Sequence, residues 1–166
     1  MTFQAHLAYP YIISTVVAKT IGIQLSLVDS IVLLVSSVIP DLDYIFVWLK
    51  DRINKFSAEI PDHHTWITHT PFYYLILSVI ITFISLSTGI LFFIGTFLHF
   101  IMDMFYTGDG VRWLRPFSNK EFYVNNPTRG KYRKVWLEAY QKLPIWRIDF
   151  VFLVIALIIF VNEYIK

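Results

Sequence analysis

Histidines and aspartates recur in this chain at the edges of its apolar segments. Three of its five histidines, His63, His64 and His69, fall in "DHHTWITHTPFYY", directly before an apolar run. Asp41 and Asp43 follow an earlier apolar run in "PDLDYI". Imidazole nitrogens and carboxylate oxygens are ligands that zinc and similar divalent cations take from proteins. This placement of His and Asp therefore indicates metal binding.

A histidine and a carboxylate also share one face of a later apolar segment. His99 and Asp103 are spaced i,i+4 in "HFIMD", so a helix places both where two donors can hold one cation. A carboxylate inside an apolar helix is costly and marks a functional position by default. His6 is the remaining histidine, and it can join these residues only if the N-terminus lies at the same membrane face.

Simpler structural roles exist for some of these residues. Asp41 or Asp43 alone could cap a helix that begins near Tyr44. A single histidine near an aromatic-rich interface is commonly a hydrogen-bonded structural residue. The chain has no cysteine, which excludes disulfides and thiolate ligands, so any metal must be held by His, Asp or Glu.

The composition indicates a membrane protein. Hydrophobic residues make up 56% of the 166-residue chain and charged residues 16%, with a mean hydropathy of +0.57. A typical soluble domain is about 45–50% apolar and about 25% charged. We therefore expect one all-α domain over residues 1–166, a polytopic membrane helical bundle. The less favoured alternative is a soluble helical protein with an unusually apolar core.

Four apolar runs predict the main helices, and a weaker helix is expected before them. The runs cover residues 23–39, 72–86, 90–106 and 149–161, and the weaker helix covers 7–20. A membrane span needs about 20 apolar residues, so each run reaches that length only with its flanks. The start, "MTFQAHLAYPYIIS", lacks the basic residues of a signal peptide, and we expect no cleavage there.

The basic residues are concentrated in one polar segment. Residues 107–147 carry nine of the fourteen Lys and Arg. If 72–106 is a transmembrane hairpin, the polar segments on both sides of it emerge at the same face. The positive-inside rule places that face, and the site with it, in the cytoplasm. We expect the basic residues to meet anionic lipid headgroups and not nucleic acid.

The ordered motifs resemble the YdjM-like family of inner-membrane metal-dependent hydrolases. That family shows an early "HL", then "PDxD", "HRGxTHS" and "HxxxDxxTxxGxxLLxPF". This chain has "HLAYP", "PDLD", "HTWITHT" and "HFIMDMFYTGDGVRWLRPF" in the same order, over roughly residues 4–118. Thr65 and Trp66 stand where the family has Arg and Gly, and Thr70 replaces the final Ser. Arg112 or Arg115 are candidates to replace the lost arginine.

The resemblance implies a helical hydrolase of the inner membrane that binds divalent metal through His and Asp. The expected ligands are His6, Asp41, Asp43, His64, His69, His99 and Asp103. The adjacent His63 can take the place of His64. One of Asp41 and Asp43 is expected to bind metal, and the other to orient or deprotonate the attacking water.

The number of ligands predicts two metal ions. A lone zinc takes three or four ligands from protein, and this set is larger. Two ions about 3.5–4 Å apart would share a carboxylate, for which we expect Asp103. Zinc is the expected metal, and manganese and iron also suit the His and Asp donors.

The expected substrate is a phosphoester, either a small molecule or a lipid headgroup, because two cations stabilise both oxygens of an in-line displacement. The alternative is a non-catalytic metal-binding regulator or transporter component. An enzyme gathers its ligands at one face, whereas a permeation path distributes them through the bilayer. Asp29 is the exception inside the first strong run, where a helix–helix polar contact is expected.

Overall fold

The structure is a computed structural model that describes residues 3–43, 66–106, 110–124 and 145–165. These residues form five α-helices and one 3₁₀ helix. The α-helices are α1 (Phe3–Thr20), α2 (Leu27–Ser36), α3 (Pro71–Thr82), α4 (Leu86–Tyr106) and α5 (Ile145–Tyr164), and the 3₁₀ helix is η1 (Ile39–Leu42). This described part contains no β-strand, and it has one isolated bridge between Val111 and Phe122. The predicted all-α class is confirmed for these residues.

A capping box sets the start of α2. The Ser26 side chain accepts a hydrogen bond from the Asp29 backbone N–H, and the Asp29 carboxylate accepts one from the Ser26 N–H at 2.9 Å. Because both backbone donors are satisfied there, the helix begins at Leu27, later than the apolar run that starts at residue 23. The contacts of the Asp29 carboxylate lie at the N-terminus of its own helix, which the sequence alone does not indicate.

The connection between α3 and α4 lies earlier than the sequence "STG" indicates. Helix α3 ends at Thr82 and α4 begins at Leu86, so "STG" forms part of the first turn of α4. Gly89 packs against the end of α3, because a Cβ at this position would lie 2.2 Å from the Thr82 Oγ1. The glycine permits this short connection by leaving room for the preceding helix.

Helix α3 begins at Pro71, directly before the apolar run that starts at residue 72. Thr70 occupies the N-cap position, but its side chain makes no capping bond. Its hydroxyl donates instead to the Trp66 carbonyl at 3.3 Å. Pro71 favours the start because its missing N–H would have no partner in the first turn of a helix.

Contacts along the helices define their directions. Tyr9 donates to Asp149 at 3.2 Å, and Lys19 bonds Glu163, so α1 and α5 run in the same direction. The Tyr164 hydroxyl donates to a carbonyl just before α2, that of Leu25, at 2.7 Å. Helix α2 therefore starts at the far end of α5 and returns towards the beginning of α1. This antiparallel pairing of α1 and α2 is the arrangement that His6 needs to reach the other candidate ligands.

The outer surface is strongly apolar. Large hydrophobic side chains are exposed on all five helices, and those of Phe83 and Ile84 between α3 and α4 are 88% and 85% exposed. Within the described residues, one helix, over Leu86–Phe105, is long and apolar enough to cross a membrane, with a mean hydropathy of 1.7. Helices α2 and α3 are shorter apolar helices. The bundle of four to five spans stays a prediction.

Close packing of α4 on α2 depends on Gly95. A Cβ added there would lie 2.0 Å from the Ser36 Oγ and 2.9 Å from the Leu33 carbonyl oxygen. Small residues let membrane helices approach closely in this way. Gly95 is also one turn before His99, so the same close approach brings His99 towards the end of α2.

We expect Gly95→Ala to lower the thermal unfolding midpoint of the detergent-purified protein. The added methyl must push α4 away from α2, and such overpacking typically costs about 1–3 kcal/mol. Ser87→Ala, at an exposed position of the same helix, is the matched control and should leave the midpoint unchanged. Equal midpoints for the Gly95→Ala variant and the wild type would contradict this account of the contact.

Candidate metal centre

The turn between α2 and η1 supplies two backbone carbonyls to the site. The Ser37 carbonyl oxygen lies 2.8 Å from His99 Nδ1, and the Pro40 carbonyl oxygen lies 3.1 Å from His69 Nδ1. Pro40 lacks an N–H and stands in the first turn of η1, where that donor is not needed. Asp41 follows directly, so this one turn orients two imidazoles and adds a carboxylate.

Four side chains from three parts of the chain form a compact cluster. His6, Asp41, His99 and Asp103 each offer a ligand atom, and these atoms all lie within 4.8 Å of one another. His6 Nε2 lies 3.2 Å from Asp103 Oδ1 and 3.6 Å from Asp41 Oδ2. His99 Nε2 lies 3.1 Å from Asp103 Oδ2 and 3.6 Å from Asp41 Oδ1. The imidazole rings of His6 and His99 stack with their centroids 3.9 Å apart.

The cluster is compact enough to hold a cation. One nitrogen or carboxylate oxygen from each of the four residues lies within 4.8 Å of the other three, and each histidine Nε2 lies 3.1 to 3.6 Å from an oxygen of both aspartates. The donor set of two histidines and two aspartates also suits zinc, manganese or iron. The described residues therefore form one candidate metal site.

The hydrogen bond to Ser37 decides which nitrogen of His99 is available. A carbonyl oxygen only accepts, so His99 Nδ1 carries the proton and donates it. The lone pair then remains on Nε2, which lies 3.6 Å from Asp41 Oδ1 and 3.1 Å from Asp103 Oδ2 and makes no hydrogen bond to any described residue. A buried lone pair this close to two carboxylates is stable only if a positive charge, either a proton or a metal cation, lies between them. Backbone-oriented imidazole is the usual arrangement of a metal-bound histidine.

His69 also lies between a backbone carbonyl and Asp103, but both of its nitrogens are at hydrogen-bond distance from an oxygen. Its Nδ1 faces the Pro40 carbonyl, and its Nε2 lies 3.0 Å from Asp103 Oδ2. Asp103 is thus within 3.2 Å of three imidazoles, those of His6, His69 and His99. Asp103 therefore lies among the three imidazoles, and its role as a carboxylate shared by two ions stays a prediction.

Asp41 and Asp43 have different surroundings. Asp41 belongs to the four-residue cluster, whereas Asp43 Oδ2 accepts a hydrogen bond from the Thr68 hydroxyl at 2.9 Å and lies 4.0 Å from His69 Nδ1. Asp43 Oδ1 is buried and has no hydrogen-bond partner in the described part of the chain. Only Asp41 connects the cluster to the exterior, because 19% of its side chain is exposed and the other three members are buried.

Two expected site residues, the alternative ligands His63 and His64, lie outside the described residues. Of the two arginines considered as replacements for the family arginine, Arg112 forms an ion pair with Glu121 at 2.9 Å. Sequence reasoning missed the carbonyls of Ser37 and Pro40, since backbone acceptors leave no signature in residue type. It also missed Thr68, whose position directly before His69 was the only signal.

The apolar exterior, the helices of the described residues and the buried His/Asp cluster indicate a helical membrane protein with a candidate metal centre. The sequence profile of the YdjM inner membrane protein family matches residues 1–166, and the chain belongs to this family. Membership implies a location in the inner membrane. No curated protein and no solved structure shows a detectable match.

We expect Asp103→Asn to remove bound metal from the detergent-purified protein. The amide keeps the size of the side chain but removes the negative charge that three imidazoles surround. Asp149→Asn is the matched control, because Asp149 is an equally buried carboxylate on α5 that contacts Tyr9 and not the cluster. Elemental analysis should find metal in the wild type and the Asp149 variant alone. Stoichiometric metal in the Asp103 variant would contradict the assignment.

Proposed function

We propose that this protein is a membrane-bound metal-dependent hydrolase that cleaves a phosphoester with a metal-activated water. The observation that carries the proposal is the orientation of His99: its Nδ1 is held by a carbonyl while its Nε2 faces two carboxylates. This orientation prepares a metal ligand before any metal is bound. The ligands are also gathered within 4.8 Å at one place, which favours an enzyme over a path through the bilayer.

The proposed metal is zinc, with manganese and iron as alternatives of the same ligand preference. One ion would be held by His6, Asp41, His99 and Asp103. A second ion would take His69 and Asp103, with His64, which lies outside the described residues, as the remaining motif ligand. His69 supports this second site because its Nε2 reaches the same Asp103 oxygen as that of His99, at 3.0 and 3.1 Å.

A divalent cation bound in this cluster would lower the pKa of a coordinated water to about 7 and neutralise charge on a phosphoryl group. Asp41 faces the open side and contributes a carboxylate there. Asp43, whose Oδ1 is buried without a hydrogen-bond donor among the described residues, is the proposed general base. The Thr68 hydroxyl fixes the other oxygen of Asp43, which leaves Oδ1 to take a proton from the attacking water.

The proposed substrate is an anionic phosphoester. The hairpin of residues 110–124, next to the site, carries Arg115 and Lys120, whose charges favour an anionic partner. A soluble phosphate ester and a phospholipid headgroup share this chemistry. Nucleic acid is not the proposed partner, because the basic residues also fit a membrane protein that meets anionic headgroups.

A second candidate function is that of a non-catalytic metal-binding regulator or transporter component. The observation in its favour is burial: His6, His99 and Asp103 have no exposed surface. A structural metal site is closed, whereas a catalytic site keeps a coordination position open to substrate. The enzyme and the regulator differ at Asp41, the exposed member of the cluster: an enzyme needs a coordination position open to substrate there, and a structural site does not.

We expect Asp43→Asn to retain metal and to lose hydrolysis, whereas Asp41→Asn loses both. Removing a general base typically lowers the rate by a factor of about 10²–10⁴. The assay should compare phosphomonoesters, phosphodiesters and phospholipids, with metal content measured on the same samples. Metal-loaded wild-type protein that turns over none of the three classes would favour the regulator and overturn the hydrolase.

The proposed architecture is a multi-pass bundle with its metal site at the cytoplasmic face. Helix α5 starts near the site end of α1 and ends beside Leu25 at the opposite end, so residue 164 would lie in the periplasm. We expect alkaline phosphatase fused after residue 166 to be active, and a fluorescent protein fused there to be dark. The reverse pair of results would place the site at the periplasmic face.

A further inference from the structure

Exposed apolar side chains lie next to the metal cluster. We call five of them the apolar collar: Phe3, Leu42, Ile67, Leu114 and Phe117, which are 52%, 42%, 52%, 50% and 82% exposed. They come from four separate parts of the chain. A rim that faced water would carry polar side chains at these positions, so the collar needs a partner of apolar character.

Three collar residues are adjacent to metal ligands in the chain. Phe3 is one helical turn before His6 in α1. Leu42 stands between Asp41 and Asp43, and Ile67 is two residues before His69. Exposed apolar surface therefore occurs at the start of α1, in η1 and before α3, three of the places where the described chain meets the cluster.

The other two collar residues belong to a hairpin fixed to the end of α4. Val111 and Phe122 exchange backbone hydrogen bonds of 2.9 and 3.0 Å, which closes the hairpin of residues 110–124. The Trp113 indole N–H donates a hydrogen bond to the sulfur of Met104, the residue that follows Asp103, at 3.0 Å. The Phe117 ring packs edge-on against Phe72 at 5.5 Å, in the first turn of α3. The hairpin thus holds its exposed side chains at the cluster end of the bundle.

The same hairpin combines these apolar side chains with cations. Lys120 Nζ lies 5.3 Å from the Phe122 ring centroid, and Arg115 stands between Leu114 and the Pro116 that precedes Phe117. Apolar side chains interleaved with Lys and Arg, beside an anchoring tryptophan, are typical of segments that lie in the interface of an anionic membrane. The hairpin also continues directly from the helix of the described chain that can span a membrane, so the same bilayer is within reach.

We propose that the apolar collar lies in the headgroup interface of an anionic bilayer, so that the metal cluster opens onto lipid and takes a phospholipid headgroup as its substrate. The position of the collar depends only on the membrane location of the chain, whereas the choice of substrate rests on the function proposed above. Asp41 is the exposed member of the cluster, and its neighbour Leu42 belongs to the collar. A headgroup held at the collar is therefore already beside the open edge of the cluster.

The position of the collar can be measured with single cysteines, because the chain has none of its own. Phe117→Cys and Ile67→Cys would each carry an environment-sensitive fluorophore, in protein reconstituted into phosphatidylglycerol-containing vesicles. Asn119→Cys, at an exposed polar position of the same hairpin, is the matched control. We expect lipids with a shallow doxyl group to quench the two collar labels more strongly than aqueous iodide does, and the reverse for residue 119.

Two outcomes of this measurement would overturn the proposal. Quenching of the collar labels by iodide alone would place them in water. Protection of both labels from both quenchers would place them under a second copy or another protein. Neither result depends on catalysis, so the test remains informative if the protein hydrolyses nothing.

The proposal of a phospholipid substrate is tested separately with the variant Phe117→Asp, and Asn119→Asp is the control. Each variant adds one carboxylate to the hairpin, but only the first places it in the collar. We expect Phe117→Asp to lower turnover of phosphatidylglycerol vesicles while leaving that of a soluble phosphoester and the metal content unchanged. Equal losses on both substrates would overturn the assignment of a lipid substrate, and no turnover by the wild type would count against the hydrolase alone.

Discussion

The structure depends on a negative charge buried inside an apolar helix. Asp103 lies near the end of α4, has no exposed surface, and is within 3.2 Å of three imidazoles. A carboxylate in this position is stable only if positive charge or donors surround it. The imidazoles of His6, His69 and His99 come from α1, from the segment before α3, and from α4 itself. Satisfying this one group therefore brings most of the described helices to one end of the bundle.

The α2–η1 turn explains why two of the imidazoles place Nε2, and any proton or cation bound to it, beside this carboxylate. The carbonyls of Ser37 and Pro40 accept the Nδ1 protons of His99 and His69, which leaves Nε2 directed inward. Gly95 allows α4 to lie close enough to α2 for the first of these bonds to form. The α2–η1 turn, the close packing of α4 on α2 and the tautomer of His99 thus depend on one another.

Much of this arrangement follows from residue type and spacing. The i,i+4 pair of His99 and Asp103 predicts a shared helical face, and the structure places both side chains in the cluster. The condition on His6 also holds, since α1 and α2 are antiparallel and return the chain to the same end. These features can be predicted because the hydrophobic pattern locates the helices and also the polar residues that interrupt their apolar runs.

Other features depend on contacts that a linear pattern does not contain. Asp29 reads as a polar residue within an apolar run, but the competing capping box with Ser26 decides its role. The separate surroundings of Asp41 and Asp43 arise from the turn that follows Pro40, which directs one carboxylate to the histidines and the other to Thr68. The position of the α3–α4 connection was misread because Gly89 serves close packing and not a chain break.

The origin of the cluster from residues far apart in the chain has a mechanical consequence. His6 belongs to the first helix and Asp103 to the fourth, so an ion between them acts as a removable cross-link across most of the described fold. A ligand that binds only the folded state stabilises it in proportion to its concentration. Metal supply would thereby govern how firmly the N-terminal helix is tethered, leaving a metal-starved chain joined there by its packing on α5 and neighbouring helices alone.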